Sequence, residues 1–419
     1  MSRRQPLIVI ALLLFGTVAI PPAVYMAFKT SSMAVGVLIV AAIHGSLLVT
    51  SSILAHKSQG IGPIILPAIV VASLIFIHGA ISFFINREVD YGRFWQSVVF
   101  LVAFALGAYS LARLARTVSA NQVNFAARFV FLALVTTGFA SLFGFAPIPS
   151  VHYAKPVVFF TEPSLFALSF LPFLLYMVVT SRRSLKLLFV LISLALALLL
   201  QNLTFILGII VCTIFIFPPR QLLIVVPVIV APLVAADFNL DYYLSRINIS
   251  SESDNISVLA FLQGWERAYL NLEDFFGFGV GFQQFGVFGR LGQVVESMEA
   301  LGIGGLNLYD GGSVGSKFIG EFGAIGVVAL LIYLAKVSGR FRWLHGVSLR
   351  VDRFADRRRI FFACCFIMYS VDLFFRGSGY FSPTGFLFLT SILWFAFEPQ
   401  DARGRTAHPH QAILQPDTR

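Results

Sequence analysis

The chain has 419 residues, of which 58% are hydrophobic and only 12% are charged, and its mean hydropathy is +0.86. Soluble domains carry about 25% charged residues, so this composition excludes an ordinary soluble protein and predicts a chain embedded in a bilayer. The formal net charge of +10 could suggest a nucleic-acid-binding protein, but an uneven distribution of positive charge across a membrane explains it, so no nucleic-acid partner is predicted.

Apolar segments, most of them about as long as a membrane-spanning helix, follow one another along the chain. The first is longer than the core of a signal peptide and lacks a clear cleavage site, so we expect it to be retained. The three segments between residues 184 and 236 are short, and they could be tilted, partly re-entrant or merged. Twelve spans are predicted, near residues 7–28, 32–54, 61–85, 94–115, 124–146, 162–180, 184–200, 203–217, 221–236, 318–336, 359–375 and 380–398.

The distribution of charge gives these spans an orientation. Twelve spans place both termini on one side, and that side then holds 21 of the 30 lysines and arginines but only 5 of the 20 acidic residues. Positive charge collects on the cytoplasmic side, so both termini are predicted to be cytoplasmic. The chain then divides into nine spans in residues 1–236, a large outer loop in 237–317, three spans in 318–398 and a cytoplasmic tail in 399–419.

The outer loop of about 80 residues is rich in aromatic residues and glycines, which predicts a folded, membrane-apposed structure. Within it, residues 257–274 have the period of an amphipathic helix that lies on the membrane or caps the bundle. Its polar side holds Gln263, Arg267 and Asn271. Arg267 then points toward a polar space, or it is solvated or paired with a nearby acid.

Three glycines follow this helix, at positions 277, 279 and 281. A Gly-x-Gly-x-Gly pattern can cradle a phosphate when it follows a strand, but no strand precedes it here. We therefore predict a flexible turn of the backbone beside the membrane surface.

Pairs of charged residues stand at the outer ends of predicted spans. Lys317 and Glu321 are four residues apart and could pair weakly, act in function, or reach toward the interface. Asp372 and Arg376 have the same spacing, which predicts a structural pair or the lining of a cavity. Glu162 precedes a predicted helix start, where its charge complements the helix dipole; this explains it structurally and leaves a functional role open.

Six basic residues of the outer loops are predicted to share one face of the membrane. Arginines there suit an anionic group such as a lipid-linked pyrophosphate, which a guanidinium binds through two hydrogen bonds. The six candidates are Arg93, Arg246, Arg267, Arg290, Lys317 and Arg376.

Several short motifs together resemble a known family. The segment 160–167, which contains Glu162-Pro163-Ser164, is similar to the Glu-Pro-Ser segment of Wzy-type O-antigen and exopolysaccharide polymerases. The outer loop resembles the same superfamily, which includes the O-antigen ligases. Its similar elements are Arg246, Trp265-Glu266-Arg267, Gly279-Val280-Gly281-Phe282 and the closing segment 321–326.

The resemblance implies a GT-C-like, all-α glycosyltransferase of the bacterial inner membrane. Such an enzyme polymerises oligosaccharides linked to undecaprenyl pyrophosphate into a surface polysaccharide, at the outer face of the membrane. Loop arginines would hold the pyrophosphate and neutralise the leaving group. The resemblance implies no nucleotide and no metal cofactor, and it implies membrane lipids and a chain-length regulator as partners.

Three points stay open at the level of the sequence. The general base, if there is one, could be Glu266, Asp310 or Glu321. An O-antigen ligase is the first alternative, although ligases typically carry a histidine near the end of the loop and this loop contains none; His152 is the one histidine in an outer loop. The second alternative is a transporter or flippase, whose usual paired repeats and charged, broken helices the sequence does not show. An uncharacterised membrane scaffold is the last.

Overall fold

The computed structural model describes residues 5–30, 32–54, 62–86, 89–145, 155–217, 220–221, 250–251, 253, 255–350 and 355–398. This part of the chain is helical, with no β-strand among the described residues. Its thirteen helices are α1 (Gln5–Phe28), α2 (Ala34–Leu54), α3 (Gly62–Asn86), α4 (Tyr91–Thr117), α5 (Ala120–Leu142), α6 (Pro163–Thr180), α7 (Arg183–Leu199), α8 (Leu203–Thr213), α9 (Ile256–Asp274), α10 (Gln293–Ala300), α11 (Val314–Arg350), α12 (Arg357–Phe374) and α13 (Pro383–Ala396).

Six of the described helices are long and apolar enough to cross a membrane, namely α1, α3, α4, α5, α6 and α11. Apolar side chains also cover their outer faces: on α3, Leu66, Leu74 and Phe84 are 69%, 61% and 87% exposed. A continuous exposed surface of this kind is unfavourable in water and suits contact with lipid. The all-helical structure therefore fits a membrane protein, as the composition predicted.

Helices occupy eleven of the twelve predicted segments, and the remaining one, 221–236, lies almost entirely outside the described residues, as does the tail 399–419. The largest difference concerns α11, which was predicted at 318–336 and extends from Val314 to Arg350. The predicted span ended at Lys336, the first of several basic residues assigned to the cytoplasmic side. A helix can continue into the aqueous phase without losing its backbone hydrogen bonds, so a charge limits the span and not the helix.

The centre of the bundle is α6, which packs against α5, α8 and α12. Its phenylalanines interlock with those helices. Phe170 lies 5.3 Å from Phe131 of α5, Phe166 lies 6.0 Å from Phe205 of α8, and Phe173 lies 5.7 Å from Phe361 of α12, measured between ring centroids. Interlocked aromatic rings give a rigid core. This core fixes the start of α6, where Glu162 lies.

The helix ends form two groups, each defined by contacts among its own members. In the first group, the start of α6 is joined to the segment after α12 by Glu162 and Arg376, and Tyr380, just before α13, contacts Glu321 in α11. The start of α4 joins the same group, because Arg93 lies over Tyr309, which shortly precedes α11.

In the second group, basic side chains donate to the last carbonyls of neighbouring helices. Arg358 at the start of α12 donates to the carbonyls of Arg116 and Val118 at the end of α4, at 3.2 Å each. Lys186 at the start of α7 donates to the carbonyl of Ser348 near the end of α11, at 2.8 Å. These contacts satisfy carbonyls that a helix end leaves open. The two groups of helix ends thus lie at opposite ends of the bundle.

Helix α11 is broken at Gly323, whose backbone angles are φ 60° and ψ −135°. The three-glycine segment docks on this break. Val280 and Gly281 donate to the carbonyls of Gly320 and Glu321 at 3.0 and 2.9 Å, and Ala324 donates to the carbonyl of Gly277 at 2.7 Å. The glycines do form turns, all with positive φ, but they seal a broken helix and do not simply turn beside the membrane. The sequence predicted no broken helix at the middle of the membrane, and this break lies near the start of α11.

Candidate functional site

The predicted amphipathic helix is confirmed as α9, and its polar side faces inward. Gln263, Arg267 and Asn271 are each at most 1% exposed, whereas Tyr269 on the opposite side is 66% exposed. Gln263 donates to the carbonyl of Leu306 at 2.6 Å, and Asn271 donates to that of Gly320 at 3.4 Å. The polar stripe therefore attaches α9 to the segment before α11 and to α11 itself.

Arg267 is a buried cation without an acidic partner among the described residues. Its Nη2 donates to the carbonyl of Phe288 at 3.0 Å, its guanidinium lies 5.3 Å from the ring centre of Phe285, and Nε and Nη1 have no hydrogen-bond partner. Burial lowers the pKa of this guanidinium, because the charged form loses its hydration. Arg267 is thus neither solvated nor paired with an acid, and its charge is uncompensated.

Lys317 and Glu321 both lie in the first turns of α11 and are almost fully buried. They form no direct ion pair with each other, although the charge of Lys317 acts on the carboxyl group of Glu321. Lys317 Nζ lies 3.1 Å from Asp310 Oδ1, and Glu321 Oε2 accepts a hydrogen bond of 2.8 Å from the hydroxyl of Tyr380. Tyr380 also lies under the lysine, with Nζ 5.1 Å from its ring centre. Partners from loops replace the unfavourably ordered pair within the helix.

The open part of this region is formed by Tyr309 and Asp310, which are 48% and 41% exposed. The guanidinium of Arg93 lies 4.4 Å from the ring centre of Tyr309. No carboxylate of the described residues forms an ion pair with Arg93.

Glu162 and Arg376 form an ion pair of 2.7 Å across 214 residues of sequence. Glu162 precedes Pro163, the first residue of α6, but its side chain makes no capping hydrogen bond; Ser164 is half-buried in the first turn. The carboxylate of Glu162 raises the pKa of the Arg376 guanidinium, because it stabilises the charged form.

The predicted pair of Asp372 with Arg376 is wrong. Asp372 is buried and accepts a hydrogen bond of 2.9 Å from Thr384. Helix α12 ends at Phe374, so the helical i, i+4 geometry no longer applies to Arg376.

Six of the twelve predicted site residues therefore converge at one end of the bundle. The charge of Arg376 interacts with that of Asp310, and the charge of Arg93 interacts with that of Glu321. The convergent residues, called the polar cluster below, are Arg93, Glu162, Tyr309, Asp310, Lys317, Glu321, Arg376 and Tyr380. The cluster holds three cations and three carboxyl groups, and Arg267 lies behind it.

Besides Arg267, two of the six predicted basic residues are not part of the cluster. Arg246 lies outside the described residues. Arg290 is 57% exposed and pairs with Glu273 and Asp274, at 3.0 and 2.6 Å, which ties the loop before α10 to the end of α9. The hydrogen bond with Asp274 is the main cause that raises the pKa of Arg290. Its exposed charge is already matched by two acids.

Glu266 caps α10. Its Oε1 and Oε2 accept hydrogen bonds from the backbone N–H groups of Gln293 and Val294, at 2.9 and 3.0 Å. A carboxylate at a helix start satisfies open N–H groups and interacts favourably with the helix dipole. Both oxygens of Glu266 thus have a structural role.

Glu266→Ala is expected to lower stability by about 1 kcal/mol, the usual loss of an N-terminal cap, and to leave the activity of the folded protein unchanged. The melting temperature of the detergent-solubilised protein measures the first effect. Glu299→Ala is the control, because Glu299 lies in the same helix, α10, and its replacement leaves the Glu266 cap intact. A loss of activity without a loss of stability would return Glu266 to the list of candidate bases.

The ion pair of Glu162 with Arg376 is expected to stabilise the fold through the attraction between its two charges. Arg376→Glu alone places three carboxylates close together and should lower the melting temperature, whereas adding Glu162→Arg should restore most of it. Because both side chains are partly exposed, the coupling in a double-mutant cycle should be about 1 kcal/mol. A coupling near zero would mean that the pair does not hold α6 to the segment after α12.

Tyr309, Tyr380 and Gln284 are site residues that the sequence analysis missed. Gln284 joins the start of α4 to the outer loop, because it exchanges two hydrogen bonds of 3.0 and 3.1 Å with the backbone of Asp90. Tyrosine and glutamine are common and lie in no periodic pattern here. The adjacency of Tyr309 to Asp310 was the one available signal.

Comparisons with protein-family models, with curated proteins and with solved structures gave no match to this chain.

Proposed function

We propose that this protein is a membrane glycosyltransferase that polymerises lipid-linked oligosaccharide repeat units into a surface polysaccharide. The convergence of Arg93, Asp310 and Lys317 with the start of the Glu162-Pro163-Ser164 segment supports the proposal most strongly. These residues come from distant parts of the sequence. Each has a predicted place in a polymerase site: Arg93 and Lys317 as cations for pyrophosphate, Asp310 as a base, and Glu162 as part of the Glu-Pro-Ser segment. A set of unrelated surface charges would not be expected to meet at one end of the bundle.

The proposed reaction joins two repeat units. A hydroxyl oxygen of the acceptor sugar attacks the anomeric carbon of the donor glycan, and the bond from that carbon to the pyrophosphate oxygen breaks. Undecaprenyl pyrophosphate leaves with the bonding electrons, and a base takes the hydroxyl proton. The attack thus forms one glycosidic bond and releases one lipid pyrophosphate.

Asp310 suits the role of general base best among the three candidates. Glu266 uses both oxygens to cap α10, and Glu321 is fully buried. Asp310 is 41% exposed, and Lys317 holds its Oδ1 in place. A positioned, accessible carboxylate meets the geometric requirement for proton transfer.

Positive charge for the leaving group would come from Arg93 and Arg267, because their guanidinium groups form no ion pair with an acid among the described residues. Arg376 and Arg290 are already neutralised by acids. A guanidinium in a site with little water stabilises a developing phosphate charge strongly. Arg267 is buried, so it would act through its field and through hydrogen bonds that form when the site rearranges around substrate.

The proposed topology places this site outside the cytoplasmic membrane. The two groups of helix ends agree with alternating spans, and the end that carries Arg116, Lys186 and Arg358 suits the positive cytoplasmic side. The polar cluster then lies at the outer face, where the large loop covers it. Twelve spans, a GT-C-like arrangement and cytoplasmic termini in a bacterial inner membrane are all part of this proposal.

A lipid-linked oligosaccharide transporter is the second candidate, and the break in α11 favours it, since transporters use discontinuous helices. In transporters such breaks lie near the middle of the membrane. Residues 324–350 after the break form about 40 Å of helix, at about 1.5 Å per residue, so Gly323 lies close to one end of α11. A break in that position suits a site at one surface better than a two-sided pathway. An O-antigen ligase remains the alternative within the enzyme class.

Deletion of the gene in its own host, followed by complementation, tests the proposal. A gel that resolves surface glycans by length should show a ladder with the wild-type chain and single capped units without it. Arg290→Ala should keep the ladder. Transfer of single units that depends on the protein would identify a ligase, and accumulation of lipid-linked units on the inner leaflet without it would identify a transporter.

A further inference from the structure

Tyr309 is the most accessible aromatic ring of the polar cluster. Arg93 lies over one face at 4.4 Å, while the side chain remains 48% exposed. One face of the ring is therefore covered, and the rest is open to a ligand. We propose that Tyr309 is the platform of a saccharide subsite that receives the acceptor sugar.

The covered side of the platform is fixed before any ligand binds. Arg93 lies in the first turn of α4, and the start of that helix is held by the two hydrogen bonds between Gln284 and the backbone of Asp90. The backbone N–H of Arg93 donates to Asp90 Oδ1 at 2.9 Å, which caps the helix. A fixed aromatic ring binds a ligand without a large loss of side-chain entropy.

The chain around Tyr309 is fixed as well. Asn307 has a left-handed φ of 54°, and its carbonyl accepts hydrogen bonds from Asp310 and Gly311, at 3.1 and 2.8 Å. This turn places Tyr309 and Asp310 next to each other, and both side chains are partly exposed. A ring and a carboxylate side by side match the two parts of a pyranose, which has an apolar C–H face and a rim of hydroxyl groups.

The charge of the polar cluster also favours a sugar. Its three cations are accompanied by three carboxyl groups, and Lys317 and Arg376 are paired at 3.1 and 2.7 Å. A site that binds only an anion would have an excess of cations. Asp310 and Glu162, which are 41% and 38% exposed, can accept hydrogen bonds from hydroxyl groups. The acceptor hydroxyl would thereby lie next to the proposed base, an arrangement that rests on the proposed function.

A binding experiment on the full chain in lipid nanodiscs tests the subsite. The probe is the host's own repeat-unit oligosaccharide, released from its lipid by mild acid and free of pyrophosphate. Tyr309→Ala should weaken binding by about tenfold, the equivalent of losing one aromatic contact. Tyr309→Phe keeps the ring and should bind within about twofold of the wild type, on the same scale.

Tyr269→Ala is the matched control, because Tyr269 is a more exposed tyrosine on the other side of α9. It should leave binding unchanged. Equal binding by wild type and Tyr309→Ala, or equal losses in Tyr309→Ala and Tyr269→Ala, would overturn the subsite. If the oligosaccharide binds through Tyr309 but the host's glycan ladder does not depend on the protein, the subsite stands and the polymerase function fails. If the ladder depends on the protein but Tyr309→Ala does not affect binding, the polymerase function stands and the subsite fails.

Discussion

Asp310→Asn is expected to lower the rate of polymerisation by about 100-fold or more, because a general base contributes roughly 100- to 10,000-fold to such reactions. Asparagine has nearly the same shape as aspartate and can still accept a hydrogen bond from Lys317, which lies 3.1 Å from Oδ1. It cannot take a proton from the acceptor hydroxyl. The change therefore separates proton transfer from packing better than alanine would.

The rate is best measured as polymer formed per mole of protein in membranes, with the amount of folded protein determined by size-exclusion chromatography. Glu266→Gln is the control, since this carboxylate caps α10 and takes no part in the proposed reaction. If Asp310→Asn retained most of the activity while Glu321→Gln abolished it, the base would be Glu321, and the cluster would have to open to admit the acceptor.

Gly323→Ala should lower the stability of the protein by about 1–3 kcal/mol or more, the cost of a side chain in a backbone conformation that only glycine adopts readily. The angles of Gly323 are φ 60° and ψ −135°. An added Cβ would also collide with the carbonyl of Gly277, which accepts the hydrogen bond from Ala324. The substitution would therefore disturb both the break in α11 and the hydrogen bond between Ala324 and Gly277 that stabilises it.

Gly339→Ala in the same helix is the matched control. A Cβ at Gly339 meets no atom within 4 Å. In a regular helix, alanine is more favourable than glycine by about 0.5–1 kcal/mol, so this change should slightly raise the melting temperature. Equal effects of the two substitutions on melting temperature would mean that α11 is continuous in the membrane.

The all-helical, membrane-type character of the fold could be predicted from the sequence because a bilayer imposes a simple rule. Each span needs about 20 apolar residues, and eleven of the twelve predicted segments contain a described helix. Helix α9 was equally predictable, since the spacing of Val258, Leu262 and Trp265 follows the helical period. Only its orientation required the structure, which shows that α9 presents its polar side to α11.

The pairing of charges was not predictable from spacing. Glu162 meets Arg376 across 214 residues, and the choice of partner depends on where α12 ends and how the next segment turns back. The break in α11 was hidden for a similar reason. Glycine is common in membrane helices, and Gly323 alone among Gly320, Gly323 and Gly326 has a positive φ, which the letters of the sequence do not distinguish. Such contacts between distant segments have no local signal.

The most direct test of the central claim uses the purified protein in nanodiscs, with the host's undecaprenyl-pyrophosphate-linked repeat unit as the only added substrate. The account predicts lipid-linked products that are two, three and more repeat units long, with one undecaprenyl pyrophosphate released for each bond formed and no need for a nucleotide sugar. It also predicts that Asp310→Asn forms almost none of them. Failure of the wild-type protein to form any product longer than one unit, under conditions in which it binds the lipid-linked unit, would contradict the account.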